Sequence, residues 1–266
     1  GQESVVVGNF SNEMVGVYRH LGGGLFLDRA AASKIGYPSL KTLTFGLFLF
    51  DVELDGDLDL FAANGHVLTH IAQTQEGIAF RQSPHLFLND GEGHFHDVAP
   101  EIGGPLAVPL VGRGASWGDY DRDGDTDVLV TENGGGAHLF RNETTGRGGV
   151  LRVRLRGRGG EGSPTGSQRQ GLSSRVEAVL PGGARVSARV RTGSSYLSQS
   201  ETVAVLGLGS AEAVDTLVVH WSGGGEERVV GVGVDQEVVV EEGRGVVEET
   251  LLPVPLEQTA SLSVNH

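Results

Sequence analysis

The residues best suited to chemistry stand in one short run, Asp119-Tyr120-Asp121-Arg122-Asp123-Gly124-Asp125-Thr126-Asp127. Carboxylates occupy every second position, five in nine residues. Like charges at that density repel, so the segment is poorly stable without a cation among them. Hard oxygen donors around a central Gly, which permits a sharp turn, suit Ca²⁺; Mg²⁺ fits less well because it wants a near-ideal octahedron at shorter distances. An EF-hand would place Glu at the twelfth position, between two helices. Here that position is Val130, and the run leads into Val128-Leu129-Val130-Thr131, which reads as a strand. The arrangement recurs 68 residues earlier at Asp51-Val52-Glu53-Leu54-Asp55-Gly56-Asp57-Leu58-Asp59, followed by Leu60-Phe61-Ala62-Ala63. A solvated acidic turn is the competing reading, but chance would not restore the Gly and the terminal Asp together.

The elements that carry these loops repeat as well. Tyr18-Arg19-His20-Leu21-Gly22-Gly23-Gly24-Leu25-Phe26-Leu27-Asp28 matches Phe87-Leu88-Asn89-Asp90-Gly91-Glu92-Gly93-His94-Phe95-His96-Asp97, and Leu139-Phe140-Arg141-Asn142-Glu143 starts a third copy. Each unit reads acidic loop, apolar strand, Asn-containing turn, aromatic strand, Gly-rich turn, Phe strand. Such units predict a propeller or similar array, with blades of roughly 40–50 residues. The longer spacing here implies insertions at 66–82 and 100–111. Val5-Val6-Val7-Gly8-Asn9 aligns with Leu60-Phe61-Ala62-Ala63-Asn64, which puts Gly1 on Gly56 and Ser4 on Asp59. The expectation is therefore a propeller that is N-terminally incomplete over residues 1–146, with about two and a half blades where closure needs at least four. A ragged end on a smaller β domain is the alternative.

A Gly-rich stretch at 147–166 marks a change of composition. Beyond it Leu151-Arg152-Val153-Arg154-Leu155-Arg156 alternates apolar and basic residues, as a half-buried strand does. Further alternating segments run over 175–180, 184–191, 203–206, 216–221, 228–232 and 237–241, separated by turns such as Pro181-Gly182-Gly183. They predict a second all-β domain at 147–242, a sandwich of about seven strands, followed by an extended tail at 243–266. The fold class is thus all-β, a partial propeller and then a β-sandwich-like domain.

Composition narrows the function. The net charge is −14, and ten of the 34 acidic residues lie in the two loops. An acidic surface argues against nucleic acid as a partner. With no Cys there is neither disulfide nor thiolate chemistry, and no apolar run approaches the ~20 residues of a membrane span. His94 and His96 share one face of a strand but lack two further zinc ligands. His66 and His70 lack the Glu of a metalloprotease helix. Ser194, Ser195, Ser198 and Ser200 sit in no Gly-x-Ser-x-Gly elbow, and read as hydroxyls that satisfy backbone groups. Arg152, Arg154, Arg156 and Arg158 form one basic stripe, a solvated strand face or else a surface for an acidic partner or phospholipid.

Taken together, the acidic loops with Asn64-Gly65-His66 and Leu139-Phe140-Arg141-Asn142 resemble the FG-GAP/VCBS repeats of calcium-binding β-propellers. Gly193-Ser194-Ser195-Tyr196-Leu197-Ser198-Gln199-Ser200, then Leu206-Gly207-Leu208-Gly209, Val214-Asp215 and Trp221-Ser222-Gly223, resemble an ASPIC/UnbV domain. That order is the arrangement of the cartilage-acidic-protein-like group. The resemblance implies calcium held by side chains at loop positions one, three, five and nine and by the carbonyl at position seven. Those are Asp119, Asp121, Asp123, Asp127 and the carbonyl of Asp125, and likewise Asp51, Glu53, Asp55, Asp59 and the carbonyl of Asp57. Glu53 and Leu54 depart from the family's pattern, as does the Gly/Ser/Gln-rich stretch 157–172. The implied protein is a non-enzymatic, periplasmic or secreted interaction or assembly module. The open sheet edges of an incomplete propeller would pair with other strands unless covered, so the expected role is that of an accessory subunit of a larger complex with protein partners, a membrane-associated complex included. An adhesion or carbohydrate-binding propeller is the alternative, and an enzyme of secondary metabolism, as in the enediyne-cluster members of the group, a third.

Overall fold

The computed structural model describes residues 3–159 and 166–253 and the backbone of 264–265. Gly1 and Gln2 of the expected half-loop, and most of the expected tail, lie outside the described residues.

Three antiparallel meanders make up the first half. Strands β1 (Val5–Val7), β2 (Gly16–Gly22) and β3 (Leu25–Asp28) form one sheet. Strands β4 (Thr44–Phe50), β5 (Asp59–Asn64), β6 (His85–Asn89) and β7 (Phe95–Asp97) form the second. The third holds β8 (Gly112–Gly118), β9 (Asp127–Glu132) and β10 (Ala137–Phe140), with Val264–Asn265 paired to β10. The internal repeat is a repeat of register: Tyr18 faces Asp28 across β2 and β3 as Phe87 faces Asp97 across β6 and β7.

This is the β-propeller arrangement the repeats predict, and the middle sheet explains its sequence. A blade packed on both faces has no polar side. In β4, Phe48 and Phe50 join the core shared with the third sheet, while Leu47 and Leu49 pack toward the first. In β5, Phe61 and Ala63 take the one face and Leu60 the other, so every residue from Asp59 to Asn64 is buried. The two insertions meet each other: Gln82 and Leu110 exchange backbone hydrogen bonds of 2.8 and 3.1 Å.

The second half is a sandwich of two four-stranded sheets, one strand more than the seven expected. Its strands are β11 (Gly149–Arg156), β12 (Arg175–Val179), β13 (Arg185–Arg189), β16 (Val203–Gly209), β17 (Thr216–His220), β18 (Glu226–Val229), β19 (Gln236–Glu241) and β20 (Gly245–Leu251), with a short hairpin, β14 (Gly193–Ser195) and β15 (Ser198–Gln199), before β16. One sheet is ordered β16-β11-β19-β20 and the other β13-β12-β17-β18, with β11 and β19 parallel. Leu151, Val153, Val176, Leu206, Leu217, Val219 and Val238 of the two sheets share one core. The eighth strand, β20, lies in the expected extended segment 243–266 and docks it on β19 by antiparallel pairing. Val246-Val247-Glu248-Glu249 does not alternate, because an edge strand packs too little side-chain surface to need it.

The basic stripe is in part the solvated strand face that the sequence suggests, with Arg154 and Arg156 about half exposed. Arg152 is buried, Arg154 pairs with Glu237 at 3.1 Å and Arg156 with Glu248 at 2.7 Å. These three arginines meet acidic partners within the chain. Among the described residues no helix is long and apolar enough to cross a membrane.

The halves meet at the edges of the second and third sheets. Strands β4 and β8 are edge strands, and their outward amides need acceptors. The Ser195 hydroxyl accepts from Leu47 N at 3.0 Å, and the Ser200 hydroxyl accepts from Trp117 N at 3.1 Å. Tyr196 packs edge-on to Phe45, 5.0 Å between ring centres. The serine-rich motif thus satisfies backbone groups, as its sequence predicts.

Strand β16 closes over the first acidic loop, where Gly209 N donates to Leu54 O at 2.9 Å. A Cβ on Gly207 would lie 1.9 Å from Asp51 Oδ2 and 2.8 Å from the Leu54 backbone. Gly207→Ala is therefore expected to cost about 1–3 kcal/mol, read as a lowered denaturation midpoint. Gly136→Ala, which meets nothing within 4 Å, should change stability by less than about 0.5 kcal/mol. Equal midpoints for the two variants would contradict this packing.

Candidate metal centre

Each acidic loop joins the first strand of a sheet to the second, β4 to β5 and β8 to β9, and its last carboxylate opens the second strand. The two loops share one hydrogen-bond scheme. The first Asp accepts from the Gly amide: Gly56 N to Asp51 Oδ2 at 2.9 Å, Gly124 N to Asp119 Oδ2 at 3.1 Å. The last Asp accepts from the second loop residue: Val52 N to Asp59 Oδ2 at 2.8 Å, Tyr120 N to Asp127 Oδ2 at 2.7 Å. Its other oxygen accepts from an Asn amide, Asn89 N to Asp59 Oδ1 and Asn142 N to Asp127 Oδ1, both 2.9 Å. The glycines sit at φ of 98° and 100°, and the fourth residues, Leu54 and Arg122, at 59° and 63°. Only Gly adopts the former readily, which accounts for the glycine in each loop. Asn89 and Asn142 complete the scheme. They are visible in the sequence as repeated residues, but nothing there ties them to the carboxylates.

In the second loop the acidic side chains converge. Carboxylate oxygens of Asp119, Asp121 and Asp127 lie within 4.8 Å of one another. Buried oxygens of Asp119 and Asp125, Oδ1 in each, have no hydrogen-bond partner. Bare buried carboxylate oxygens are costly. Asp123 is not in that group; its Oδ1 accepts from Asp125 N at 3.2 Å. Three guanidinium groups surround the loop. Arg141 pairs with Asp121, Arg147 donates to Asp123 O at 3.0 Å, and Arg152 Nε lies 3.4 Å from Asp119 Oδ2.

Charge is held back throughout. Burial first, then the repulsion of Asp123 and Asp127, pushes Asp125 up to about 9. Burial pushes Asp127 up to about 6, against the amides of Asn142 and Tyr120 that favour its charge. Burial also raises Asp119 and Asp123, with the charge of Asp123 adding to it at Asp119 and the charge of Asp121 adding to it at Asp123. A divalent ion among these groups would supply the countercharge. The donor set is all oxygen, and the bare oxygens are in place, so the residues fit a hard cation. Asp119, Asp121 and Asp127 would hold it.

The first loop is built on the same backbone but arranged differently. Among the described residues its carboxylates form no such group. Burial, then the charge of Asp55, raises the pKa of Glu53, and its Oε2 is buried without a partner. Asp55 is exposed, and its Oδ1 accepts from Asp57 N at 2.9 Å. Burial pushes Asp51 up to about 7 and Asp59 up to about 8. Leu54 is fully buried beneath β16, whereas its counterpart Arg122 is exposed. The unusual Leu is thus a contact with the second domain.

The histidines take surface and turn roles. His94 pairs with Asp90 and His96 with Glu101, at 3.1 and 2.6 Å, while His66 Nδ1 accepts from Leu68 N at 3.0 Å.

Two family models match parts of the chain. The family model described as an FG-GAP-like repeat matches residues 77–130, which include the second loop. The model described as ASPIC and UnbV matches residues 164–247, across most of the sandwich. A search among curated proteins finds no match. By sheet arrangement and by both matches, the chain carries an FG-GAP-like repeat in a β-propeller arrangement and, C-terminal to it, an ASPIC/UnbV domain.

Proposed function

We propose that this protein is a calcium-stabilised, non-enzymatic interaction module that works outside the cytoplasm as a subunit of a larger protein assembly. The observation that carries the reading is the convergence of Asp119, Asp121 and Asp127 beside buried oxygens without partners. The ion's role is structural: it neutralises the turn that launches β9 and so holds the third sheet together. Extracellular calcium modules bind at roughly 10⁻⁴–10⁻³ M, which suits a compartment rich in free calcium. A chain without Cys is compatible with that setting.

The interaction role is supported by the first sheet. Leu21, Leu25, Phe26 and Leu27 of β2 and β3, with Val5 and Val7 of β1, expose large apolar side chains. Scattered apolar residues are ordinary on a surface, but a cluster on one sheet marks a contact. The serines and histidines that could suggest catalysis are engaged in backbone and surface contacts.

Calcium should raise the melting temperature relative to chelator, with a sign set by pH. Asp51, Asp59, Asp125 and Asp127 all have folded pKa values above the unfolded ~3.9. The metal-free folded state therefore binds more protons than the unfolded one. Its stability falls as pH rises from about 4 through the folded values of about 6 to about 9. The calcium-dependent gain should be near zero at the acid end of that window and grow toward the alkaline end. A gain that is flat or shrinks with pH would contradict the site.

Asp121→Asn should weaken calcium binding at least about tenfold in titration calorimetry. It should change metal-free stability by less than about 1 kcal/mol, because its pair with Arg141 is near the surface. Glu53→Asp should tighten binding at the first loop by restoring the shorter carboxylate that Asp121 supplies at the same position of the second. Unchanged isotherms for both would remove the assignment of ligands. The assembly role is checked by size-exclusion chromatography of the protein purified from its native source in calcium. A monomer at every salt concentration contradicts it. Recovery with cytoplasmic markers on fractionation contradicts the compartment.

A further inference from the structure

We propose that cation binding in the second acidic loop and docking of the C-terminal sandwich are one coupled equilibrium, joined by Arg152 as a positioning residue. The inference rests on the reading that this loop binds calcium, and adds that the second domain completes the site's support.

Arg152 lies on β11, in the sandwich, yet its side chain is only 2% exposed. Its Nη2 reaches Glu201 Oε1 at 2.7 Å, and its Nε lies 3.4 Å from both Asp119 Oδ2 and Glu237 Oε2. The sandwich thus sends one buried guanidinium across the domain boundary to the first ligand of the loop. Asp119 Oδ2 is held on one side by Gly124 N and on the other by Arg152, and Oδ1 is left without a partner.

Glu201 grips the same strand by a second route. Its backbone N donates to Trp117 O at 3.2 Å, and Trp117 N donates to the Ser200 hydroxyl at 3.1 Å. Trp117 is two residues before Asp119. The hairpin β14–β15, the Arg152 charge and the first carboxylate of the loop are therefore one connected set. Arg147 adds a second link, from Asp123 O at 3.0 Å to Asp235 at 3.8 Å.

The physical logic is that of outer contacts that orient a ligand. With the sandwich docked, Arg152 fixes Asp119 through one oxygen and leaves the other bare. With the sandwich displaced, Asp119 loses that partner and Arg152, Glu201 and Glu237 must be rehydrated together. A cation that favours the held orientation of Asp119 must favour the docked sandwich, and by linkage the docked sandwich must favour the cation equally.

Hydrogen exchange on the full chain, in calcium and in chelator, tests this. In the wild type, calcium should slow exchange of the 193–199 hairpin and of the Leu47 and Trp117 amides about tenfold, within the usual range of coupling. In Arg152→Met that remote protection should vanish while calorimetry still records calcium binding. If Arg152→Met does not fold, Glu201→Gln, which removes the closest partner of Arg152 but leaves the side chain's volume, must reduce the protection instead. Protection confined to 119–127 in the wild type overturns the coupling. Full remote protection in a folded variant overturns the role of Arg152. An empty calorimetric isotherm for the wild type overturns the cation reading beneath it and is recognised as such.

Discussion

Carboxylates withdrawn from water at the junction of two domains set the terms for the rest of this molecule. Asp51, Asp59 and Asp127 are each less than a tenth exposed, and each stands among other acidic groups. Such groups ionise only where a countercharge or directed amides compensate the lost hydration. The chain provides both. Main-chain N–H groups from the glycines, the second loop residues and Asn89 and Asn142 point at the acidic oxygens. Three arginines close around the second loop, and oxygens of Asp119 and Asp125 are still left bare.

The same constraint shapes the second domain. A strand that covers a charged turn must approach without a side chain, and β16 does so at Gly207, against Asp51 and Leu54. A strand that approaches the other loop must bring positive charge, and β11 does so at Arg152. One domain thus meets two homologous turns by opposite means, shape at the first and charge at the second. The hairpin between β13 and β16 adds hydroxyl acceptors for the open edges of β4 and β8, edges that would otherwise invite other strands.

The loops themselves have diverged within one backbone. Their φ values and amide contacts coincide almost residue for residue. One methylene separates Glu53 from the Asp121 that stands at its position. Carboxylate oxygens converge around Asp121 in the second loop, and among the described residues no such group forms around Glu53 in the first. The exchange of Arg122 for Leu54 follows from cover: one turn is open to water at that residue and the other lies under β16.

Much of this was readable in the amino-acid sequence because it is local. Alternating carboxylates around a Gly define a turn that repels itself, and the repeat of Tyr18–Asp28 in Phe87–Asp97 specifies a hairpin in fixed register. The run of apolar residues at 59–64 specifies a strand covered on both faces. Alternation along 151–156 likewise located β11, though it drew Arg152 as one of four equivalent arginines. What the sequence could not determine depends on contacts between residues far apart in the chain. β20 escaped notice because an edge strand needs little periodicity. Asp123 could not be separated from Asp119, Asp121 and Asp127, since spacing alone does not say which oxygens turn inward. That Arg152 is buried against Asp119, and that Leu54 and Gly207 are partners, was decided only when the sandwich came to rest on the loops. Burial and opposing charge act through space, and spacing along the chain does not record them.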